Sequence, residues 1–179
     1  MRRIPSQLEA LFRMTPDLYW VGDISPLRLA LAPRPRAGEW LEDELTGWRR
    51  AGVDTVVSLL ESHEARELGL ADEASACEAC GIDYLSFPIP DRQTPDCVDK
   101  TDRLVAELLT QLRSGRSIVV HCRAGIGRTG LIAACVLCDI GIDSAKVFAV
   151  LSATRRVQVP DTQEQEVWVA QYANRRPRR

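Results

Sequence analysis

The stretch IVVHCRAGIGRTG, residues 118–130, decides the fold of this 179-residue chain. Its first three residues are β-branched and apolar, which predicts a short strand buried on both faces. A loop with glycines follows, and residues 129–139 have the apolar spacing of a helix. A buried strand that passes through such a loop into a helix is typical of a parallel α/β sheet, whose ligands bind at the carboxyl ends of its strands.

Strands and helices alternate on both sides of this stretch. Residues 29–36 are rich in proline and arginine, and we interpret them as a loop. The remaining patterns predict extended segments at 18–21, 55–60 and 84–89, and helices at 39–51, 71–80, 98–112, 144–154 and after Pro160. This order predicts an α/β fold with a mostly parallel central sheet flanked by helices. We expect a single domain over residues 1–179, with its core at 15–173 and a frayed basic tail at 174–179.

Composition limits the class of protein. The chain is 45% hydrophobic and 27% charged, which is typical of one soluble globular domain. Its net charge of -2 argues against general binding of nucleic acid or of an anionic membrane surface. No apolar run is long enough to span a membrane, and residues 1–13 lack the pattern of a signal peptide. We therefore expect a cytoplasmic protein with no nucleic-acid partner and no membrane span, while the oligomeric state is left open.

The loop itself fits two kinds of binding site. Residues 125–130, GIGRTG, match the G-x-G-x-x-G pattern of dinucleotide-binding proteins. That pattern also requires a following strand with an acidic end, whereas residues 131–151 have helical spacing. The second interpretation is an anion site, because amides at the start of a helix converge on a negatively charged group and the helix dipole favours that charge. We favour the anion site.

Several side chains of the loop are suited to phosphate chemistry. Cys122 lies beneath the expected anion site, where the amides and Arg128 would hold its sulfur as a nucleophilic thiolate. Arg128 lies six positions later, so its planar guanidinium can curl back to bind two phosphate oxygens. Gly125 and Gly127 permit the tight backbone path. Thr129 can offer a hydroxyl to the sulfur when it leaves.

Residues 121–130, HCRAGIGRTG, resemble the signature loop of the cysteine-dependent protein-tyrosine phosphatase superfamily, H-C-x-x-G-x-x-R followed by Ser or Thr. The resemblance implies a protein-tyrosine-phosphatase-like fold, and the chain length favours the dual-specificity group. It also implies that Cys122 is the nucleophile and that His121 orients the loop. Substrate phosphate would be bound by the backbone amides or side chains of Arg123, Ala124, Gly125, Ile126, Gly127 and Arg128.

The reaction needs a general acid, and Asp91 is our candidate. The segment PDRQTP, residues 90–95, resembles the movable P-D-x-x-x-P acid loop of the same superfamily. It departs from the tyrosine-specific pattern, which has Trp and Gly where this chain has Ile89 and Gln93. Asp96 and Asp83 are weaker alternatives, and we interpret Asp96 as the N-cap of the helix that follows.

Two other polar segments have competing interpretations. Residues 162–165, TQEQ, resemble the segment by which tyrosine phosphatases position the hydrolytic water, but they also form a capping box. Gln165 is therefore a supporting residue or a cap. We interpret His63, in the segment ESHE, as part of a solvated helix start.

The six cysteines do not predict a metal site. With only two histidines, a zinc site is poorly supplied, and we expect neither a metal nor another cofactor. Cys135 and Cys138 share an apolar helix face and are interpreted as core residues. For Cys77 and Cys80 we favour packing, with a reversible disulfide to Cys122 as the alternative.

The sequence thus predicts a phosphatase that acts on phosphotyrosine, and also on phosphoserine or phosphothreonine, in a phosphorylated protein substrate. A phosphoinositide or inositol phosphate is the alternative substrate, since Arg123 adds a cation within the loop. A different class of function, a pseudophosphatase that binds phosphate without turnover, is disfavoured by the presence of Cys122, Arg128 and Asp91.

Overall fold

A computed structural model describes residues 16–175 of the chain. The strands in this range are β1 (Tyr19–Trp20), β2 (Arg28–Ala32), β3 (Thr55–Ser58), β4 (Asp83–Ser86) and β5 (Ser117–His121). The α-helices are α1 (Leu41–Arg50), α2 (Ser62–Glu67), α3 (Glu73–Ala79), α4 (Val98–Arg113), α5 (Gly127–Asp139), α6 (Val147–Arg155) and α7 (Gln163–Asn174). Thr15 and the rest of the N-terminal stretch lie outside the described residues, as do residues 176–179 of the basic tail.

The strands form one sheet in the order β1-β2-β5-β3-β4. All neighbouring pairs are parallel except β1 with β2. The predicted α/β fold with a mostly parallel sheet is confirmed. β5 lies at the centre, where Val119 is opposite Ala30 of β2 and Val56 of β3, and every residue of β5 is buried.

The segment that we interpreted as a proline- and arginine-rich loop contains a central strand, so that interpretation is wrong for its first half. β2 runs alongside β5, and Leu29, Leu31 and the alanines between and after them are fully buried. Alanine has a low preference for strands, and the arginines and prolines begin immediately afterwards. The four buried residues are too few to outweigh those neighbours in a local reading of the sequence.

Two hydrophobic cores cover the two faces of the sheet. Ile118 and Val120 of β5 point into one core, which is completed chiefly by α4, α5, α6 and α7. Val119 points into the other, with residues from α1 and α3. Side chains alternate between faces along a strand, and the alternation continues past β5. Cys122 belongs to the first core, whereas His121 contacts the ring of Trp48 in the second.

The chain stays hydrogen-bonded past the carboxyl ends of the central strands. The Leu59 amide, just after β3, donates to the carbonyl of His121 at 3.0 Å. The Ile89 amide, beyond β4, donates to the carbonyl of Leu59 at 3.1 Å. The segments that follow three neighbouring strands therefore meet at one edge of the sheet, and that edge carries the residues predicted to be functional. No helix among residues 16–175 is long and apolar enough to cross a membrane.

Candidate active site

Cys122 lies immediately after β5, at the floor of the loop that leads into α5. Its side chain is 3% exposed and is not part of a disulfide. The negative charge of its thiolate is one of the interactions that raise the pKa of Arg128. The structure therefore brings the predicted nucleophile and the predicted phosphate-binding arginine together.

The loop over Cys122 follows a tight path that only glycine permits at one position. Gly125 has a φ of +69°, and a Cβ built there would lie 2.2 Å from the carbonyl oxygen of Ala32. The end of β2 thus supports one side of the loop. Helix α5 begins at Gly127, and Ile126 before it provides no side-chain cap. The amides of residues 123–128 donate no hydrogen bond within residues 16–175, so these amides are available to an anion.

Arg128 is the most highly connected side chain of the site, although it is only 2% exposed. Its guanidinium donates to both carboxylate oxygens of Glu64, at 2.6 and 3.1 Å. It also donates to the carbonyl of Ile89 and to Asp91 Oδ1, each at 2.9 Å. Burial opposes the charged form of Arg128, but Glu64, the Cys122 thiolate and Asp91 outweigh it and raise the pKa.

Glu64 is a site residue that the sequence analysis missed. Its segment was interpreted as a solvated helix start, which is correct for the exposed His63 but wrong for the 5%-exposed Glu64. Burial opposes ionisation, but hydrogen bonds from Arg128 and the Glu61 amide outweigh it and lower the pKa of Glu64. One sequence pattern could have indicated that Glu64 is part of the site. Glu61 and Glu64 form a capping box at the start of a helix that follows a buried strand.

Asp91 lies beside Arg128, on the loop that follows β4. Its side chain is 53% exposed, and Arg128 holds one of its oxygens. Arg92, the next residue, has a positive φ of 59°, which turns the loop sharply after Asp91. The structure thus places the predicted acid beside the predicted phosphate site.

The two alternative acids are not part of this arrangement. Asp83 begins β4, at the opposite edge of the sheet, and forms an ion pair with Arg116. Asp96 is exposed and pairs with Lys100 at 3.2 Å. Our interpretation of Asp96 as an N-cap is wrong, because the N-cap of α4 is Cys97 and no side chain caps that helix. The Asp96 carboxylate accepts instead from the side chain of Lys100, one turn into the helix.

Gln165 forms half of the predicted capping box, and its role in positioning water stays a prediction. Its amide donates to the Thr162 hydroxyl at 3.3 Å, which caps α7. Its fully buried side chain accepts from the Asp161 amide and donates to the carbonyl of Gln93 in the acid loop, at 3.2 and 3.1 Å. A Cβ on Gly127 would lie 3.0 Å from Gln165 Oε1. Gln165 therefore joins the acid loop to the start of α5.

His121 is fully buried behind the loop. Its Nδ1 lies 3.4 Å from the carbonyl oxygen of Cys122, and its Nε2 lies 2.8 Å from Oε1 of the buried Glu73. The alignment of the second contact is not that of a hydrogen bond. The contact between Glu73 and His121 was not predicted, since the two residues are distant from each other in the sequence. Burial and the charge of Glu73 raise the pKa values of Cys77 and Tyr84 to about 12 each.

The other residues singled out in the sequence are Thr129 and the cysteines outside the loop. The Thr129 hydroxyl is buried and has no hydrogen-bond partner in the described part of the chain, so it is free to contact the sulfur of Cys122. Cys77 packs in the core on the other face of the sheet from Cys122. Cys135 is buried and Cys138 half-buried in the first core, as predicted. Among residues 16–175, no three His, Cys, Asp or Glu side chains are grouped to hold a metal ion.

This fold, with a cysteine loop between the central strand and a helix, is the fold of the cysteine-dependent protein-tyrosine phosphatase class. The class can be narrowed by comparison with known families. The chain belongs to the family described as "Polymorphic toxin system, DSP-PTPase phosphatase", whose model matches residues 32–142.

Individual relatives agree with this assignment. Cyclin-dependent kinase inhibitor 3 of Rattus norvegicus is 44% identical over 89 residues, which are 50% of this chain and 42% of that protein. The chain thus matches less than half the length of this curated relative. Kinase associated phosphatase with its catalytic-site cysteine replaced by serine has a TM-score of 0.82 at 20% identity, covering 90% of this chain and 96% of the other. Tk-PTP in its active form has a TM-score of 0.74 at 26% identity, covering 92% and 100%.

Proposed function

We propose that this protein hydrolyses phosphomonoesters of proteins, phosphotyrosine first and phosphoserine or phosphothreonine in addition, through a phosphocysteine intermediate on Cys122. One observation carries the proposal. Cys122 lies near Arg128, which in turn holds Asp91, under a loop whose amides at 123–128 donate to no other residue of the described range 16–175. The membership of the chain in the phosphatase family supports the same conclusion.

The first half of the reaction forms the phosphocysteine. The Cys122 thiolate attacks phosphorus, and the bond from phosphorus to the substrate oxygen breaks. Asp91, in its protonated form, donates a proton to that departing oxygen. The loop amides and Arg128 stabilise the charge on the three equatorial oxygens of the phosphoryl group in the transition state.

The second half returns the enzyme to its starting state. Asp91, now ionised, accepts a proton from water as the water oxygen attacks phosphorus. The sulfur leaves as a thiolate, which the Thr129 hydroxyl stabilises by hydrogen bonding, and inorganic phosphate is released. Gln165 positions the attacking water, since its side chain joins the acid loop to the start of α5. His121 supports the loop from behind.

Arg128 is arranged to exchange one of its partners for substrate. Its Nη1 group is held by the buried Glu64 and by the Ile89 carbonyl. Its Nη2 group also donates to Asp91, whose side chain is largely exposed and can move. Its Nε donates no hydrogen bond within residues 16–175. The Nε and Nη2 edge can therefore donate to two phosphate oxygens in the bidentate geometry typical of arginine.

We propose further that the substrate is a phosphorylated protein and that the enzyme acts in the cytoplasm, with no nucleic-acid partner. The near-neutral charge of the chain supports the exclusion of nucleic acid. The catalytic core would extend over residues 15–173 of one domain.

A phosphoinositide is the second candidate substrate, and Arg123 is the observation in its favour. Its side chain is exposed next to Cys122, and it forms no ion pair within the described residues 16–175. An additional cation at the mouth of the site would attract a headgroup that carries more than one phosphate.

Hydrolysis of p-nitrophenyl phosphate by the reduced protein, with EDTA present, tests the proposed activity. We expect turnover that vanadate inhibits and that Cys122→Ser abolishes, while Cys122→Ser still binds phosphate. Cys138→Ser, at a half-buried cysteine of the first core, is the matched control and should retain activity. Phosphate binding by the wild-type protein without turnover would instead support a pseudophosphatase. A panel of phosphopeptides and phosphoinositides then distinguishes the two substrates by kcat/KM.

A further inference from the structure

The carbonyl oxygens of the phosphate loop are held from outside by a set of hydrogen-bond donors. The Arg34 amide donates to the carbonyl of Arg123 at 3.3 Å. The Arg155 side chain holds the next two carbonyls, with Nη2 donating to Ala124 at 3.0 Å and Nε donating to Gly125 at 2.8 Å. These last two bonds are charge-assisted and are therefore the strongest of the set.

The direction of these carbonyls fixes the direction of the amides. In a planar trans peptide, the C=O of one residue and the N–H of the next point to opposite sides. Arg155 therefore turns the amides of Gly125 and Ile126 away from itself, toward the interior of the loop. An anion above Cys122 would receive those two N–H groups without any rearrangement of the backbone.

Arg155 is itself rigidly placed and lacks a counter-ion. It is the last residue of α6 and is 8% exposed, and its guanidinium carbon lies 3.9 Å from the centre of the Tyr19 ring. None of the ion pairs found among residues 16–175 includes it. Buried arginines are normally paired with a carboxylate. Here the carbonyl dipoles of Ala124 and Gly125 take that place.

We propose that Arg155 is a positioning residue that orients the Gly125 and Ile126 amides toward the substrate phosphate. This proposal rests on the proposed phosphatase function. Arg155 does not touch the substrate. It acts through the two peptide groups that it holds, so its loss should weaken phosphate binding in the ground state and, to a larger extent, in the transition state.

The test compares Arg155→Lys and Arg155→Met with Arg103→Met, which makes the same change on the exposed surface of α4. Arg155→Lys keeps the charge but cannot hold both carbonyls as a fork. We expect kcat/KM for p-nitrophenyl phosphate to fall about 10²-fold in the Arg155 variants. We also expect inorganic phosphate to bind about tenfold more weakly, with no change in Arg103→Met. Hydrogen exchange should show less protection of residues 123–126 by phosphate.

A purely structural role would lower the melting temperature but leave kcat and phosphate affinity of the folded fraction unchanged. Folded Arg155 variants with wild-type phosphate affinity, exchange and kcat would overturn the proposal. If Arg155→Met does not fold, Arg155→Lys decides by the same measurements. If the wild-type protein binds phosphate but does not turn over, the proposed function fails, and phosphate affinity and hydrogen exchange still decide the role of Arg155.

Discussion

At the scale of single residues, Arg128 organises the site through two carboxylates with different tasks. Glu64 is 6% exposed at its side chain and holds the guanidinium through two bonds. Asp91 is 53% exposed and holds it through one. Because water screens the exposed pair and not the buried one, the contact with Glu64 is the more permanent. Glu64 therefore orients Arg128, whereas the exposed Asp91 can leave Arg128 to take the acid role that we propose for it.

Replacing Glu64 by glutamine should destabilise the protein by about 3–5 kcal/mol, because Arg128 would keep its charge in a buried position without a full partner. Urea unfolding at neutral pH measures this loss, and Glu67→Gln, at an exposed position of the same helix, is the matched control. Equal stability of the two variants would contradict the role of Glu64.

The contribution of Glu64 should also depend on pH. Its pKa is lowered in the folded protein. The stabilisation is therefore fully present above the unfolded-state pKa of about 4.3 and is lost as the pH falls through the folded-state pKa. The stability difference between wild type and Glu64→Gln should shrink on acidification. A difference that is constant from pH 7 to the acid limit of folding would show that the charge of Glu64 is not responsible.

Asp91→Asn should slow the cleavage of poor leaving groups far more than that of good ones, since a general acid contributes about 10²- to 10⁴-fold. The measurement is kcat/KM for phenyl phosphate and for p-nitrophenyl phosphate, with Asp96→Asn as the control. If Asp96→Asn gives the larger loss with phenyl phosphate, the acid has been assigned to the wrong residue.

At the scale of elements, the site depends on the contact between the cysteine loop and the end of β2. Gly125→Ala would place a methyl group 2.2 Å from the Ala32 carbonyl oxygen at a φ of +69°. Strain of about 1–3 kcal/mol would result, and the loop would have to move. We expect a loss of stability of that size and at least a tenfold loss of kcat/KM.

Gly47→Ala provides the control for this change. Gly47 lies inside α1 with no atom within 4 Å of the new Cβ. Alanine there should stabilise the protein by about 0.5–1 kcal/mol and leave activity unchanged. Thermal unfolding with activity assays measures both variants. Wild-type activity of Gly125→Ala would show that the loop does not need its close approach to β2.

The elements also show which parts of the structure local sequence can predict. β5, the loop and α5 are contiguous, and residues 118–130 contain both the apolar strand and the glycines that the turn requires, so their structure was predicted. β2 was not, because its alanines are strand residues only by virtue of burial between β1 and β5. Glu64 and Glu73 were missed for a related reason. Their partners, Arg128 and His121, are brought to them by the sheet, and no local spacing encodes that contact.

At the scale of the whole molecule, the sheet separates the cysteines. Cys122 belongs to one core, whereas Cys77 and the adjacent Cys80 pack in the other. The pKa of Cys77 is raised to about 12, chiefly by burial, which disfavours its reactive thiolate. A disulfide between Cys77 and Cys122 would have to cross the sheet.

We therefore expect peroxide to inactivate the enzyme without forming that disulfide. Peptide mapping by mass spectrometry after peroxide treatment is the measurement. Cys77→Ala and Cys80→Ala should recover activity with thiol at the wild-type rate. A cross-linked peptide that disappears in Cys77→Ala would contradict this account and favour the redox alternative.

The whole fold brings the ends of β3, β4 and β5 to one edge, and the account of function depends on the chemistry at Cys122 there. The most direct test is to look for the phosphocysteine. In Asp91→Asn, p-nitrophenyl phosphate should still phosphorylate the sulfur, because its leaving group needs little acid, while hydrolysis slows for lack of a base. Acid quenching and peptide mapping should then find phosphate on Cys122. Turnover with phosphate on another residue, or continued turnover by Cys122→Ser, would contradict the account.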